Sequence, residues 1–427
     1  MQNPTILTLT ATRSNNEIDV ATNGLVIIPL ATISLLLMGI WNIINRDVSR
    51  AIAVLTSLVG VLVMVYYVIF IQDYQEEGAT FIAQMGPAFW GMAIAGVVMI
   101  AQILIPRPAP LDERFSLRRL ASNQESIIIL AIVLLIAVVG IISPRFVAER
   151  NVSDVVAGNA YIAIAAIGMA MVIITGNIDI SVGSLVGLLA AISGTLVVNG
   201  WPVWVAWTVP ILVGMVIQAN IGFMVAYLRI PSIVVTLGML SIIKGGLIIW
   251  TGGNRITGMP DAFFLAQMRP LGIPMPVYFM VVLTILAALW MRYSAMGRSF
   301  YAYGGNSEAA RLSGISEKRV VMSVFIINGF FVGIASILYA TQLNVIQATT
   351  PPALELTVIT AAVVGGVSIL GGTGTVIGAV LAALLVNFIR SSLIFIDISP
   401  NWTRAVQGLL ILITVLADLI RRKRQRQ

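Results

Sequence analysis

The chain contains no cysteine and no histidine, and only 10% of its 427 residues are charged. Without cysteine there is no disulfide framework, no thiolate metal site and no iron–sulfur cluster. Without histidine the commonest general base and metal ligand is gone. Lysine is almost missing too. Lys244, Lys318 and Lys423 are the three present, and none is followed by Ser or Thr. A phosphate-binding loop of the G-x-x-x-x-G-K-[S/T] kind needs that pair to hold phosphate and Mg²⁺. ATP hydrolysis of that kind is therefore excluded from this chain, and any dependence on ATP must come through a partner. No carboxylate cluster offers a magnesium or calcium site, and no nucleophile–base pair argues for a membrane enzyme. The expectation is a non-enzyme with no cofactor and no metal.

What fills the chain instead is hydrocarbon. Hydrophobic residues make up 59% of it and the mean hydropathy is +0.98, whereas soluble domains carry roughly a quarter charged residues. Apolar runs near 24–41, 51–71, 88–106, 126–143, 158–175, 180–199, 203–226, 233–251, 276–291, 321–341, 355–371, 374–396 and 404–420 predict about thirteen membrane-spanning helices. The stretch 355–396 reads as two spans or as a re-entrant, broken pair. The fold class is an all-α polytopic bundle; the short alternating strands of a β-barrel are absent. The first 23 residues are polar and lack a basic start before a short apolar core, which argues against a cleaved signal peptide.

The net charge of +7 reads as topology rather than as affinity for nucleic acid. Lys and Arg accumulate in cytoplasmic loops. The tail R-R-K-R-Q-R-Q puts the C-terminus inside, and alternating backwards puts Arg46, Arg50, the 107–119 arginines, Arg229 and the 292–320 loop inside as well. The polar, proline-punctuated loop 107–125 reads either as an ordinary cytoplasmic loop or as a boundary between three leading spans and ten. A weak echo between Gly183-x-x-x-Gly187 and Gly374-x-x-x-Gly378 reads as close helix packing before it reads as a repeat.

Charges inside a membrane are costly and usually face protein or an aqueous path. Asp179, Lys244, Arg390 and Asp418 are the candidates. Asp418 reads as a solvated helix end, and Arg390 can snorkel to an interface. Lys244 suits a structural ion pair or a substrate path equally. Asp179, in T-G-N-I-D-I-S-V-G-S, lies at a junction of two spans. There Asn177, Asp179 and Ser181 can cap a helix or line a translocation path or its gate. The junction is expected near the cytoplasmic side, with backbone N–H groups or water satisfying the carboxylate. In the 292–320 loop, Ser307–Gly314 reads as a two-turn helix with Ser307 as N-cap, Glu308 at its positive start and Gly314 at C′. Gly304-Gly305 reads as a flexible entry. So short a helix needs a surface to pack against: a protein below the membrane or the lipid itself.

From about residue 117 onward the chain resembles the permease subunits of bacterial ribose- and xylose-type ATP-binding-cassette importers. The resemblance rests on five stretches in the family's order: T-G-N-I-D-I-S-V-G-S, Y-L-R-I-P-S-I-V-V-T-L-G, G-R-S-F-Y-A-Y-G-G-N-S-E-A-A-R-L-S-G-I, V-V-G-G-V-S-I-L-G-G-T-G-T-V-I-G-A and S-P-N-W-T-R-A-V-Q-G. It implies a ten-span permease core over 117–427 with a 1–116 extension of about three spans. It also implies ATP-driven import of a monosaccharide or sugar-like molecule by alternating access, in the inner membrane, multi-pass. The implied partners are cytoplasmic ATPase subunits, a periplasmic sugar-binding protein and a second, identical or homologous, permease. Gly305, Asn306, Glu308, Ala309, Arg311 and Gly314 are the implied ATPase contact. The L-R-I-P-S-I-V-V-T-L-G and W-T-G-G-N-R-I-T-G-M-P stretches lean toward the rhamnose and autoinducer-2 branch. Asn328, Asn387 and Tyr161 are available to a neutral sugar, with nothing to place them together. The alternative is a secondary carrier for a small polar solute working without an ATPase, against which the scarcity of internal carboxylates speaks.

Overall fold

The computed structural model describes residues 124–347, 351–399 and 401–425, without the side chains of Leu271 and of 417–425. The extension 1–116, its three expected spans, the boundary after residue 116 and the Asp418 side chain lie outside what is described. Asn123–Met268 and Pro274–Gln427 form one compact unit, and it is this unit that follows.

Its regular structure among the described residues is helical, apart from one antiparallel bridge between Ile256 and Ile346. In order, the helices are α1 (Gln124–Ile142), α2 (Glu149–Gly158), α3 (Ala160–Ile174), α4 (Val182–Val198), α5 (Val203–Ala226), α6 (Ser232–Thr251) and α7 (Met275–Tyr293). Then come α8 (Ala295–Gly305), α9 (Ser307–Leu312), α10 (Glu317–Thr341), α11 (Leu354–Val364), α12 (Val376–Phe395) and α13 (Trp402–Gln425). Seven helices among the described residues are long and apolar enough to cross a membrane, with α2 and α3 together forming one of them.

Helix α3 sits in the middle of this unit. Every residue of α3 is buried, and AYIAIAAIGMAMVII is apolar on all sides and rich in small residues, as a helix with neighbours all round must be. It packs against α7, α10, α11 and α12. By contrast α1 presents Ile127, Leu130, Leu134 and Ile141 outward, the pattern of a helix facing lipid.

Between α5 and α10 the contact is backbone on backbone. A methyl group at Gly329 would lie 2.6 Å from the Gly214 carbonyl oxygen, and one at Gly333 would lie 2.6 Å from the Ile211 Cα. In lipid, where apolar side chains gain little by leaving one neighbour for another, such small-residue faces hold helices together. Pro210 lies inside α5 and has no N–H to offer the Ala206 carbonyl four residues earlier. The Ser193 hydroxyl on α4 donates to that carbonyl instead, at 2.7 Å, so the freed backbone group is satisfied by a neighbouring helix.

The predicted span 355–371 needs correction. Helix α11 stops at Val364 after eleven residues, about 16 Å at 1.5 Å per residue and too short to cross a bilayer. Gly366, Gly371, Gly372 and Gly374 all take positive φ, so the segment after α11 is a glycine-built turn and not helix. The pair α11–α12 is the broken arrangement that the sequence left open.

Candidate functional site

Two features stand out in this unit: a buried polar cluster in the turn between α3 and α4, and a junction of glycines at the end of α3.

The α3–α4 turn begins with Gly176 at φ +79°. The Thr175 hydroxyl folds back onto the Val172 carbonyl at 2.7 Å, and the Asn177 amide donates to the Thr175 hydroxyl at 3.1 Å. These local bonds shape the turn and carry Asp179 inward, where it is 0% exposed. Its Oδ1 accepts the Ser181 backbone N–H at 2.9 Å and the Ser181 hydroxyl at 2.6 Å. Its Oδ2 accepts the Asn328 amide of α10 at 2.8 Å and the Gln218 amide of α5. The donors are one backbone amide, one hydroxyl and two side-chain amides, with no cation among them. A buried carboxylate is tolerated when its lone pairs are so filled. The Gln218 Oε1 and Asn328 Oδ1 atoms, turned away from the carboxylate, are buried without hydrogen-bond partners. Gly168 of α3 makes room for Asn328: a methyl group there would lie 2.5 Å from Asn328 Oδ1.

Asn177, Asp179 and Ser181 are thus brought together, with Asp179 closing a short turn onto Ser181 just ahead of α4. Its depth differs from expectation. Gln218 lies eight residues before the end of α5 and Asn328 eleven residues after the start of α10, about 12–16 Å in from the basic end of the bundle. The carboxylate is therefore well inside, and two amides from neighbouring helices take the part expected of water. Gln218 escaped the sequence reading altogether. Its signal was a glutamine two residues before Asn220 in the second half of the largely apolar α5.

Lys244 is not part of this cluster. It lies half-buried on α6, which packs against α4. Of the other polar candidates, Asn328 joins Asp179, while Tyr161 sits at the far end of α3 with its ring 5.0 Å from that of Tyr339. Asn387 is buried on α12 with its Nδ2 unpartnered.

At the basic end, α8 and α9 form the connection between α7 and α10. Ser294 caps α8, accepting from the Gly297 N–H at 2.9 Å. The cap of α9 is Asn306 and not Ser307: the Asn306 side chain accepts from the Ala309 N–H at 3.0 Å, which places Ser307 as the first helical residue. The helix ends with the Ile315 N–H on the Ala310 carbonyl and the Gly314 N–H on the Arg311 carbonyl, both at 3.0 Å. Gly314 takes φ +82° at the C′ position of this Schellman closure. Ala310 is the inward anchor; Gly305, Asn306, Glu308, Ala309, Arg311 and Gly314 are all exposed, and Leu312 is 79% exposed. Glu308 and Arg311 pair at 2.5 Å across one turn.

Gly304-Gly305 is not a flexible entry. Both residues belong to α8, and at Gly304 the lack of a side chain serves close approach. A methyl group at Gly304 would overlap the Ile174 carbonyl oxygen, which already accepts the Gly372 N–H at 2.8 Å. A methyl group at Gly371 would lie 2.8 Å from the Gly304 carbonyl oxygen and 3.0 Å from the Gly176 nitrogen. The end of α8, the α3–α4 turn and the α11–α12 turn therefore touch through main chain. Two tyrosines fasten the same element: Tyr301 donates to the Gly374 carbonyl at 2.9 Å and Tyr303 to Glu317 Oε1 at 3.0 Å. Burial first, then the Glu317 carboxylate, hold the Tyr303 phenol protonated well above its usual range.

Residues 151–415 match the family described as "Branched-chain amino acid transport system / permease component". The chain belongs to this permease family. It is 36% identical to the autoinducer 2 import system permease protein LsrC of Salmonella typhi over 71% of this chain and 87% of the relative. Against the proteins of the same name, it is 35% identical to that of Enterobacter sp. (strain 638), over 71% and 88%, and 36% identical to that of Yersinia pseudotuberculosis serotype O:1b, over 71% and 86%. No solved structure matches the permease. It is a multi-pass protein of the bacterial inner membrane, and the matched region contains the Asp179 cluster and the glycine junction alike.

Proposed function

We propose that the permease is the translocation subunit of an ATP-driven importer that moves an uncharged monosaccharide or sugar-like molecule, autoinducer 2 foremost, from periplasm to cytoplasm. The observation that carries this reading is the glycine junction. An exposed six-residue helix, α9, continues from α8, which touches the turns leading into α4 and α12 through main chain. A push on α9 from a cytoplasmic ATPase would pass into both turns with little loss, because packed backbones move as bodies rather than deform. Asp179, three residues beyond Gly176, ties the same turn to α5 and α10, so four helices would follow the push together.

The relatives named for autoinducer 2 support the substrate class, as does the resemblance to ribose- and xylose-type permeases. Exposed Gly305, Asn306, Glu308, Ala309, Arg311 and Gly314, with Leu312, would meet the ATPase. A periplasmic binding protein and a second permease, identical or homologous, complete the assembly. Reconstitution with a cognate ATPase and binding protein should give ATP-dependent uptake of labelled ribose or autoinducer 2 into proteoliposomes. Uptake driven by a proton or sodium gradient without any ATPase would overturn the reading in favour of a secondary carrier.

A further inference from the structure

Lys244 and Glu355 are two half-buried charged residues, among those described, that the Asp179 cluster and the glycine junction leave unexplained. Lys244 lies twelve residues into the twenty of α6, about 18 Å along a helix of about 30 Å. Glu355 stands in the first turn of α11, whose other end reaches Gly365, packed on Gly378 in the first turn of α12. Counting back from there at 1.5 Å per residue puts Glu355 about 15 Å in, close to mid-depth.

The two residues belong to one face. Helices α6 and α11 both pack on α4, and the Glu355 carboxylate lies directly over Gly183, where any side chain would overlap Oε2. Among the described residues, Glu355 lies within electrostatic reach of Lys244. Both are half-buried and so reach open space. Beside Lys244 that space is open among the described residues: added methyl groups at Gly238, Gly245 and Gly246 would meet none of them within 4 Å, and Ser241, one turn away, is exposed beside the apolar Leu237 and Ile242. The backbone leading into Glu355 is under strain, with Ala353 held at φ +51° and ψ +32°, a conformation that costs a residue bearing Cβ. A lysine and a glutamate open to lipid at mid-depth would be far more costly than the same pair open to water.

We infer that Lys244 and Glu355 line the water-filled translocation path at the middle of the membrane and together contact the solute there. This deepens the transport reading and rests on it. An ammonium donates and a carboxylate accepts, so neighbouring hydroxyls of a polyol can bridge the two. The pair is neutral overall, which favours an uncharged solute and opposes an anion such as a sugar phosphate at Glu355.

The natural absence of cysteine makes a direct test possible. Single-cysteine chains Lys244→Cys, Glu355→Cys and Ser241→Cys, the last keeping both charges, are assembled with the ATPase in membrane vesicles. They are then treated with a charged, membrane-impermeant methanethiosulfonate. A thiol in contact with water ionises and reacts, whereas one in lipid or packed protein does not. Labelling at 241, 244 and 355 should exceed that at Leu134→Cys and Ala165→Cys at least tenfold, and should change several-fold when ATP and vanadate trap the complex. Rates equal to those two controls would overturn the inference. Labelling needs no substrate, so it still decides if neither labelled ribose nor autoinducer 2 is taken up, a failure that would fall on the transport reading. Where wild-type uptake is seen, Lys244→Met and Glu355→Gln should each lower it about tenfold. The exchange K244E/E355K should recover part of the loss; no recovery would overturn the pairing.

Discussion

Asp179 faces donors only, and the two amides opposite it keep their carbonyl oxygens unpartnered. That arrangement predicts how substitutions will rank. In Asp179→Asn the retained oxygen can still serve Ser181, and a flip of the Gln218 and Asn328 amides would turn their idle oxygens toward the new N–H groups. Asp179→Leu offers neither possibility and takes the acceptor from all four buried donors, at about 1–3 kcal/mol for each left unsatisfied. Thermal melts of the purified permease should therefore show a small loss for Asp179→Asn and a severe one for Asp179→Leu. Gln218→Leu should fall between them, because one of the four donors is lost. A role for the carboxylate's charge in transport would appear as lost uptake in an Asp179→Asn protein of normal stability. Much of this site was legible beforehand. The turn and the isolated carboxylate could be read from T-G-N-I-D-I-S-V-G-S, whereas the expected side-chain cap on α4 is not formed. Gln218 and Asn328 could not be assigned to it, because they come from helices 39 and 149 residues away and no local pattern links an amide on one apolar helix to an acid beside another.

At the scale of the element, helices α4 and α5 share a repaired defect: Pro210 frees the Ala206 carbonyl and Ser193 fills it. Ser193→Ala should cost about 1–2 kcal/mol, and Pro210→Ala, by restoring the missing N–H, should abolish most of that cost. A double-mutant cycle read by thermal unfolding checks the coupling. Helix α9 makes a different prediction. Its Glu308–Arg311 pair is two-thirds exposed on each side and contributes little to stability. Glu308→Lys should therefore leave insertion and melting unchanged while weakening co-purification with the ATPase; intact assembly together with normal uptake would remove Glu308 from the contact. The helices themselves were legible where apolar runs were long. Where they were short, glycine decided: the run 355–371 looked continuous by hydropathy, yet its glycines end α11 after Val364. Hydropathy reports burial from water, and a buried glycine turn is as apolar as a helix.

For the molecule as a whole, the bundle is organised around α3, with outward-facing helices such as α1 at its margin and a basic end that carries α8 and α9. Fold class follows from composition, because lipid imposes it on any chain that crosses it. Which turns touch at the basic end does not, because that depends on backbone approach distances that a string of glycines permits without specifying. Gly304→Ala is the test at this scale. Its Cβ would overlap the Ile174 carbonyl oxygen, so the turns must part, at about 1–3 kcal/mol. ATP hydrolysis should then persist with uptake reduced several-fold. Equal uptake per ATP in the variant and the parent would show that the junction transmits nothing.

The glycine junction has one more property. Side chains in contact can yield to a displacement by changing rotamer, and so act as springs between the parts they join. Peptide groups in contact have no such freedom. Where Gly176, Gly304, Gly371 and Gly372 meet, the permease has a hard bearing instead of a cushion, on which a movement of a fraction of an ångström would arrive with little of it absorbed.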